Sequence, residues 1–282
     1  MMFKNIHTLE PDAVIEYYLA KKGVSKKHSK NIKRIKLDLV NDSIIYKKLA
    51  VIGKFHLVNK HISNVDEDIK KSLKVLYDTY VKESGVTKFI FDQSHICSGC
   101  QKSYATERAT KDHFLPSSVY PNFFVLPWNL IPTCGDCNRA KSDKSPQNSK
   151  ENLPHPYFNA VLFKKNWLKV VIKEVKPLKY ELAFDDKLTQ SEKQMVLNHL
   201  VTYKLEDAFN SHMSTLFDEL DDELQDIFER NDSANLRLFL DGERKRAYIS
   251  PKRVKSYWPI NIEYVFLTGL YDSDWFCENY YL

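Results

Sequence analysis

The chain has 282 residues and a mass of 33.1 kDa, enough for one large domain or two modest ones at about 150 residues each. With 36 aromatic residues and 43% apolar types it has the makings of a packed core, which excludes disorder and fibrous or disulfide-stapled mini-protein classes. Mean hydropathy is −0.45, and no apolar run approaches the roughly 18 residues of a membrane span. The first dozen residues meet Glu10 and Asp12 before any apolar run forms, so no signal peptide is expected there.

The net charge of +5 is unevenly spread: +8 over residues 1–90, +2 over 91–150 and −5 over 151–282. The first third is therefore where a polyanion would lie. From charge alone, a solvated lysine-rich helical surface is the stronger reading.

In chain order, residues 10–22 read as a helix, with Asp12 in the first turn, Val14, Ile15, Tyr18 and Leu19 on one face, and Gly23 as the stop. Residues 31–60 are expected to be mostly helical. Residues 66–82 make a clearer helix, its acids at the N-terminal end where the helix dipole favours them. The character changes over 88–150, which is rich in Cys, Gly, Pro and His. The loop-forming stretch 144–156 marks a boundary. Residues 168–175 alternate as a strand does, with 179–184 as a candidate partner. Residues 189–230 read as acidic helices, with Leu216, Phe217, Leu220, Leu224 and Phe228 as an apolar stripe. A second basic run spans 243–256, and the aromatic end from Trp258 is expected to pack on the core.

Four of the five cysteines form two Cys-x-x-Cys pairs, Cys97/Cys100 and Cys134/Cys137, with 33 residues between them. Each tight turn aims two thiolates at one point, and two such knuckles suit a tetrahedral structural zinc site better than a pair of redox dithiols or unrelated buried cysteines. Unpaired thiols and no expected leader point to a reducing cytoplasm. Cys277 reads as a small core residue.

Between and just after the knuckles lie Asp112-His113, Asn129 and Asn138. Phosphodiester hydrolysis needs a hard cation on the phosphate and a base that takes a proton from water. Asp112 and Asn138 offer the oxygen ligands that favour Mg²⁺ or Mn²⁺. His113 has the proton affinity of a neutral-pH base. Neighbours on a strand face opposite ways, so one can meet a metal while the next meets the water. Asn138 would open a short helix, with Lys141 one turn further on. Lys141 and Arg139 are the phosphate-contact candidates. Taken singly, each of these residues is as readily a cap, a turn residue or a satisfied core group.

The stretch Cys97–Lys144 resembles the HNH nucleases of the zinc-knuckle, ββα-metal type. The resemblance rests on Asp112-His113-x-Leu115-Pro116, Tyr120-Pro121, Pro127-x-Asn129-Leu130-x-Pro132, Cys134-x-x-Cys137-Asn138-x-x-Lys141 and the trailing His155-Pro156-Tyr157-Phe158. It covers about 60 residues well. It implies Asp112 and Asn138 as ligands of a catalytic Mg²⁺ or Mn²⁺, His113 as general base, and Asn129 as the residue that orients the base-bearing loop. It also implies Cys97, Cys100, Cys134 and Cys137 as ligands of a structural zinc. Two departures stand out: Asn rather than His at 138, and Ser117 where a Lys is common.

The expected fold class is α+β: a basic helical region over 1–87, a ββα-metal core over 88–150, and a mixed region of strands then helices over 151–282. The flanking parts are expected to form one domain around the central segment. The expected function is a metal-dependent endonuclease acting on DNA, without excluding RNA. A defence or mobile-element effector gated by a partner such as an ATPase or sensor protein would use the acidic helices and aromatic tail as a docking surface, though core and solvated face is the stronger reading of them, and no membrane partner is expected. A zinc-stabilised nucleic-acid-binding protein without catalysis is the alternative from another class.

Overall fold

The computed structural model describes residues 11–20, 23–60, 62–81, 96–102, 110–159, 162, 167–230, 233–248 and 261–282. The expected features at 88–95, at 103–109 between the knuckles, and at 249–260 in the second basic run lie outside them. The fold is mixed α+β, and the chain divides into two compact units, residues 1–161 and 162–282.

The first unit opens with α1 (Pro11–Ala20), followed by Gly23, whose φ of +91° suits a residue without Cβ. Helix α2 (Lys26–Val51) starts five residues before the expected onset. Its first turn is polar, so no apolar periodicity announces it. A 3₁₀ segment, Phe55–Lys60, follows. Helix α3 (Glu67–Leu76) is capped by Asp66, whose Oδ1 accepts from the Ile69 amide at 2.8 Å. It runs on into a π-helical turn, Tyr77–Val81. The core of these helices is Tyr18, Ile32, Leu39, Tyr46, Leu73 and Leu76, all at most 4% exposed.

Strands β1 (Thr110–His113) and β2 (Leu130–Thr133) pair antiparallel, with Asp112 opposite Ile131 and His113 opposite Leu130. Helix α4 (Gly135–Lys141) follows directly. The turn-rich stretch expected to bound a domain brings Leu153, His155 and Tyr157 into the interior of the first unit. The chain accordingly divides at 161/162 instead of at 150, and no division falls at 87. Nor do the two flanks join around the middle: residues 11–81 share a unit with 96–159 because their apolar faces share one core.

In the second unit, β3 (Leu168–Lys173) pairs antiparallel with β4 (Lys179–Phe184), which agrees with the alternation in the sequence. Helices α5 (Gln190–Tyr203) and α6 (Leu205–Glu229) follow, and a Thr189–Glu192 capping box starts the first of them. On α6, Leu224 is buried and Leu216, Phe217, Leu220 and Phe228 are half-buried, the face that the stripe marks. Helices α7 (Ser233–Ala247), α8 (Ile262–Asp272) and α9 (Asp274–Asn279) complete the unit. Gly269 lets α8 lie directly on β3: a Cβ there would sit 2.7 Å from the Val170 carbonyl oxygen. Cys277 is fully buried, the core position expected of it. Among the described residues no helix is long and apolar enough to cross a membrane.

Candidate metal centre and the adjoining Asp-His site

The two knuckles converge. The sulfurs of Cys97, Cys100, Cys134 and Cys137 all lie within 4.8 Å of one another. The Cys100–Cys134 separation is 3.9 Å, and Zn–S bonds of about 2.3 Å at tetrahedral angles call for about 3.8 Å. Local backbone sets this geometry. Cys134 caps α4, its Sγ accepting from the Cys137 amide at 3.4 Å. Cys97 Sγ accepts from the amides of Gly99 at 3.3 Å and Cys134 at 3.2 Å. Gln101 turns the first knuckle with φ +61°, and the Ser98 amide ties it to β2 through the Pro132 carbonyl at 2.8 Å. Hydrogen bonds among the sulfurs hold Cys134 and Cys97 below the ordinary thiol range and push Cys100 and Cys137 above it. Four sulfurs this close could hold a metal ion, and the donor set fits zinc.

Beside this cluster, α4 lies along one face of β1 through two rungs. Asn138 Nδ2 donates to Thr110 Oγ1 at 3.1 Å, and one turn later Lys141 Nζ donates to Asp112 Oδ1 at 3.1 Å. Thr110 and Asp112, two apart on a strand, share that face. Lys141 also donates to the His113 carbonyl at 2.6 Å. It is fully buried, so the phosphate contact expected of Lys141 is corrected: its ammonium reaches inward to neutralise Asp112. Arg139 is 76% exposed and pairs with Asp136.

Asp112 is 6% exposed, and its Oδ2 is buried without a hydrogen-bond partner. Burial raises its carboxyl to about 6, with Lys141 acting in the opposite direction. An orphaned buried carboxylate oxygen fits a hard cation, and Mg²⁺ sites characteristically use one or two carboxylates plus substrate phosphates.

His113 points away from that face, as strand alternation requires. Its Nε2–H donates to the Phe124 carbonyl at 2.9 Å, which leaves Nδ1 with the lone pair. Its ring packs between Phe124, with centroids 5.2 Å apart, and Tyr77, at 5.1 Å. Burial lowers its pKa to about 4, below the near-neutral value expected of it, so the ring is neutral at pH 7.

Asn129 is fully buried and makes three hydrogen bonds to the loop between the strands. Oδ1 accepts from the Leu115 amide at 2.8 Å, while Nδ2 donates to the carbonyls of Leu115 at 3.0 Å and Phe123 at 3.2 Å. The next carbonyl along the chain, that of Phe124, is the one that holds His113.

Tyr77 packs against His113, a contact that the sequence does not signal. It sits in the π-helical turn after α3, a local feature often found at functional positions. Burial, Asp78 and Asp112 push its hydroxyl up to about 12. No spacing rule connects residue 77 with residue 113, so only the fold brings them together.

No family model matches the chain and no solved structure matches it. The chain is similar to Protein ea31 of Escherichia phage lambda, with 30% identity over 113 residues. That stretch is 39% of this chain and 34% of the phage protein, so the likeness covers about a third of its relative.

One consequence concerns stability. Replacing Lys141 by Met leaves Asp112 buried without its counter-charge. The expected cost is about 3–5 kcal/mol, read as a drop in the urea midpoint at unchanged zinc content. Adding Asp112→Asn should recover part of that loss, because the two side chains are coupled. Equal midpoints for wild type and Lys141→Met would show the pair to be immaterial.

Proposed function

We propose that the chain is a metal-dependent endonuclease of the HNH, ββα-metal class that hydrolyses phosphodiester bonds in DNA. The observation that carries the reading is the opposed pair on β1. Asp112 presents an unpartnered buried oxygen to one face, while His113, oriented by the Phe124 carbonyl, keeps Nδ1 free on the other.

Asp112 Oδ2 and Asn138 would hold Mg²⁺ or Mn²⁺. Such an ion, when bound, offsets the charge that develops on the phosphate and the leaving oxygen. His113 Nδ1 takes the proton from the attacking water. Asn129 keeps the loop that orients the base in place. Arg139, exposed beside Asp136, would meet a phosphate. Zinc on the four cysteines ties α4, and with it Asn138, to β2.

The reading is tested by incubating supercoiled plasmid with purified protein and Mg²⁺, Mn²⁺ or EDTA. Nicking that requires added divalent cation supports it. Zinc-loaded, folded protein that cuts neither plasmid, linear duplex, single-stranded DNA nor RNA overturns it. A second reading, a zinc-stabilised nucleic-acid-binding protein without catalysis, is favoured by one observation: Lys141 already neutralises Asp112. Binding without cleavage in every metal would establish that second reading.

Polyanion binding has its own signature. On α2, Lys26, Lys30 and Lys33 recur at helical spacing and are exposed, with no acidic partner among the described residues. Neighbouring Lys27, Arg34 and Lys36 are paired with Asp68, Asp66 and Asp12. Replacing the three free lysines by Ala should weaken duplex binding. It should also flatten the slope of log affinity against log salt by about 0.9 for each lysine that meets a phosphate. An unchanged slope in a fluorescence-anisotropy titration would remove α2 from the interface.

A further inference from the structure

The motif His155-Pro156-Tyr157-Phe158 lies outside the zinc-framed segment, and nothing in the reaction above uses it. Yet His155 is fully buried, and its ring packs among Phe55, Phe114 and Phe158. Its polar atoms belong to a chain that ends at the site. The Tyr157 amide donates to His155 Nδ1 at 3.1 Å. That fixes the proton on Nε2, which lies 3.0 Å from the Tyr46 hydroxyl oxygen and donates to it. Tyr46 in turn donates to Asn129 Oδ1 at 3.1 Å, alongside the Leu115 amide. The Tyr157 amide sets the direction of donation from His155 through Tyr46, and the Leu115 amide meets it from the other side, so both converge on Asn129 Oδ1. Burial keeps the Tyr46 hydroxyl protonated by pushing its pKa well above the ordinary value. Asn129 carries the order onward through the Phe123 carbonyl to the turn whose next carbonyl, at Phe124, holds His113.

We infer that Tyr46, on α2, is a positioning residue for His113, set by His155 and acting through Asn129. The helical region before the knuckles is then part of the reactive site and more than a basic handle on the polyanion. The inference rests on His113 being the base, so its test separates the two.

Tyr46→Phe keeps the ring but removes the link: Asn129 Oδ1 loses a donor and His155 Nε2–H loses its acceptor. Two quantities are read on the full zinc-loaded chain. One is the kcat and KM for plasmid nicking in Mg²⁺. The other is the tautomer of His113, from ring-nitrogen NMR signals assigned with a His113→Gln control. Loss of one hydrogen bond that orders a catalytic group corresponds to about a tenfold fall in rate. The expected result is kcat down about tenfold, KM unchanged, and a mixture of His113 tautomers where wild type shows Nε2–H alone. His155→Gln, whose amide can still donate to Tyr46, should retain more of the rate than His155→Leu.

Wild-type kcat together with a single tautomer in Tyr46→Phe overturns the inference. So does a fall in thermal stability with the tautomer unmoved, since Tyr46 would then be packing alone. If wild type itself does not cleave, the nuclease reading falls. The tautomer measurement then decides the positioning claim without it: a mixture in Tyr46→Phe upholds the link to His113, and a single form ends it.

Discussion

Stripping the metal from Cys97, Cys100, Cys134 and Cys137 should unfold the first unit around the β1–β2 pair and leave the second unit folded. The strands of that pair are four residues long, and α4 has seven. A lone two-stranded sheet is marginal in water, and a helix this short does not hold itself. Bringing four sulfurs within 4.8 Å without a cation adds thiolate repulsion. Structural zinc contributes about 10–16 kcal/mol in small zinc modules, against a total domain stability of about 5–15 kcal/mol. Its loss is therefore comparable with the whole stability of such a domain. The second unit has its own core of Trp167, Val196, Phe209, Met213, Leu240 and Phe266, and its melting should be indifferent to chelator. Calorimetry with and without EDTA, with zinc measured by mass spectrometry, distinguishes these outcomes. Cys134→Ser should reproduce the chelator result. Protein that loses zinc and keeps both transitions would show the cluster to be dispensable for folding.

The second large effect concerns chemistry. His113→Ala should lower plasmid nicking by at least about a hundredfold and up to about ten-thousandfold, the range that a positioned general base contributes. The substitution also opens a gap between Tyr77 and Phe124, where the ring packs. Large-to-small core changes cost about 2–5 kcal/mol, so circular dichroism and zinc content must accompany the assay. A folded, zinc-loaded variant without activity assigns the loss to the base. Cleavage at the wild-type rate in that variant would remove His113 from the mechanism. Tyr77→Phe offers a milder comparison, because it keeps the ring against His113 and removes only the hydroxyl. Nicking should fall far less than in His113→Ala.

The sequence by itself determined the features that depend on neighbours in the chain. A Cys-x-x-Cys turn brings two sulfurs together by local geometry, so four cysteines in two pairs are enough to mark a candidate metal site. Strand alternation was enough to separate Asp112 from His113, since adjacent side chains on β1 face opposite ways. Periodicity found the helices whose buried faces are regular, such as α1 and α3, and missed the polar first turn of α2.

The tertiary structure alone decided everything that required distant residues to meet. Helical spacing placed Lys141 on the same face as Asn138, as expected, but gave no sign that this face turns inward on Asp112; the long aliphatic stem is buried and the charge finds its partner 29 residues away. Tyr46 and Tyr77 look in the sequence like ordinary helix aromatics. Packing of α2 and α3 against the loop between β1 and β2 turns one into a hydrogen-bond donor to Asn129 and the other into a wall of the His113 pocket. The division at residue 161 has the same origin. Local turn signals mark where the backbone bends, whereas a unit ends where buried side chains stop sharing a core, and His155 and Tyr157 belong to the first one.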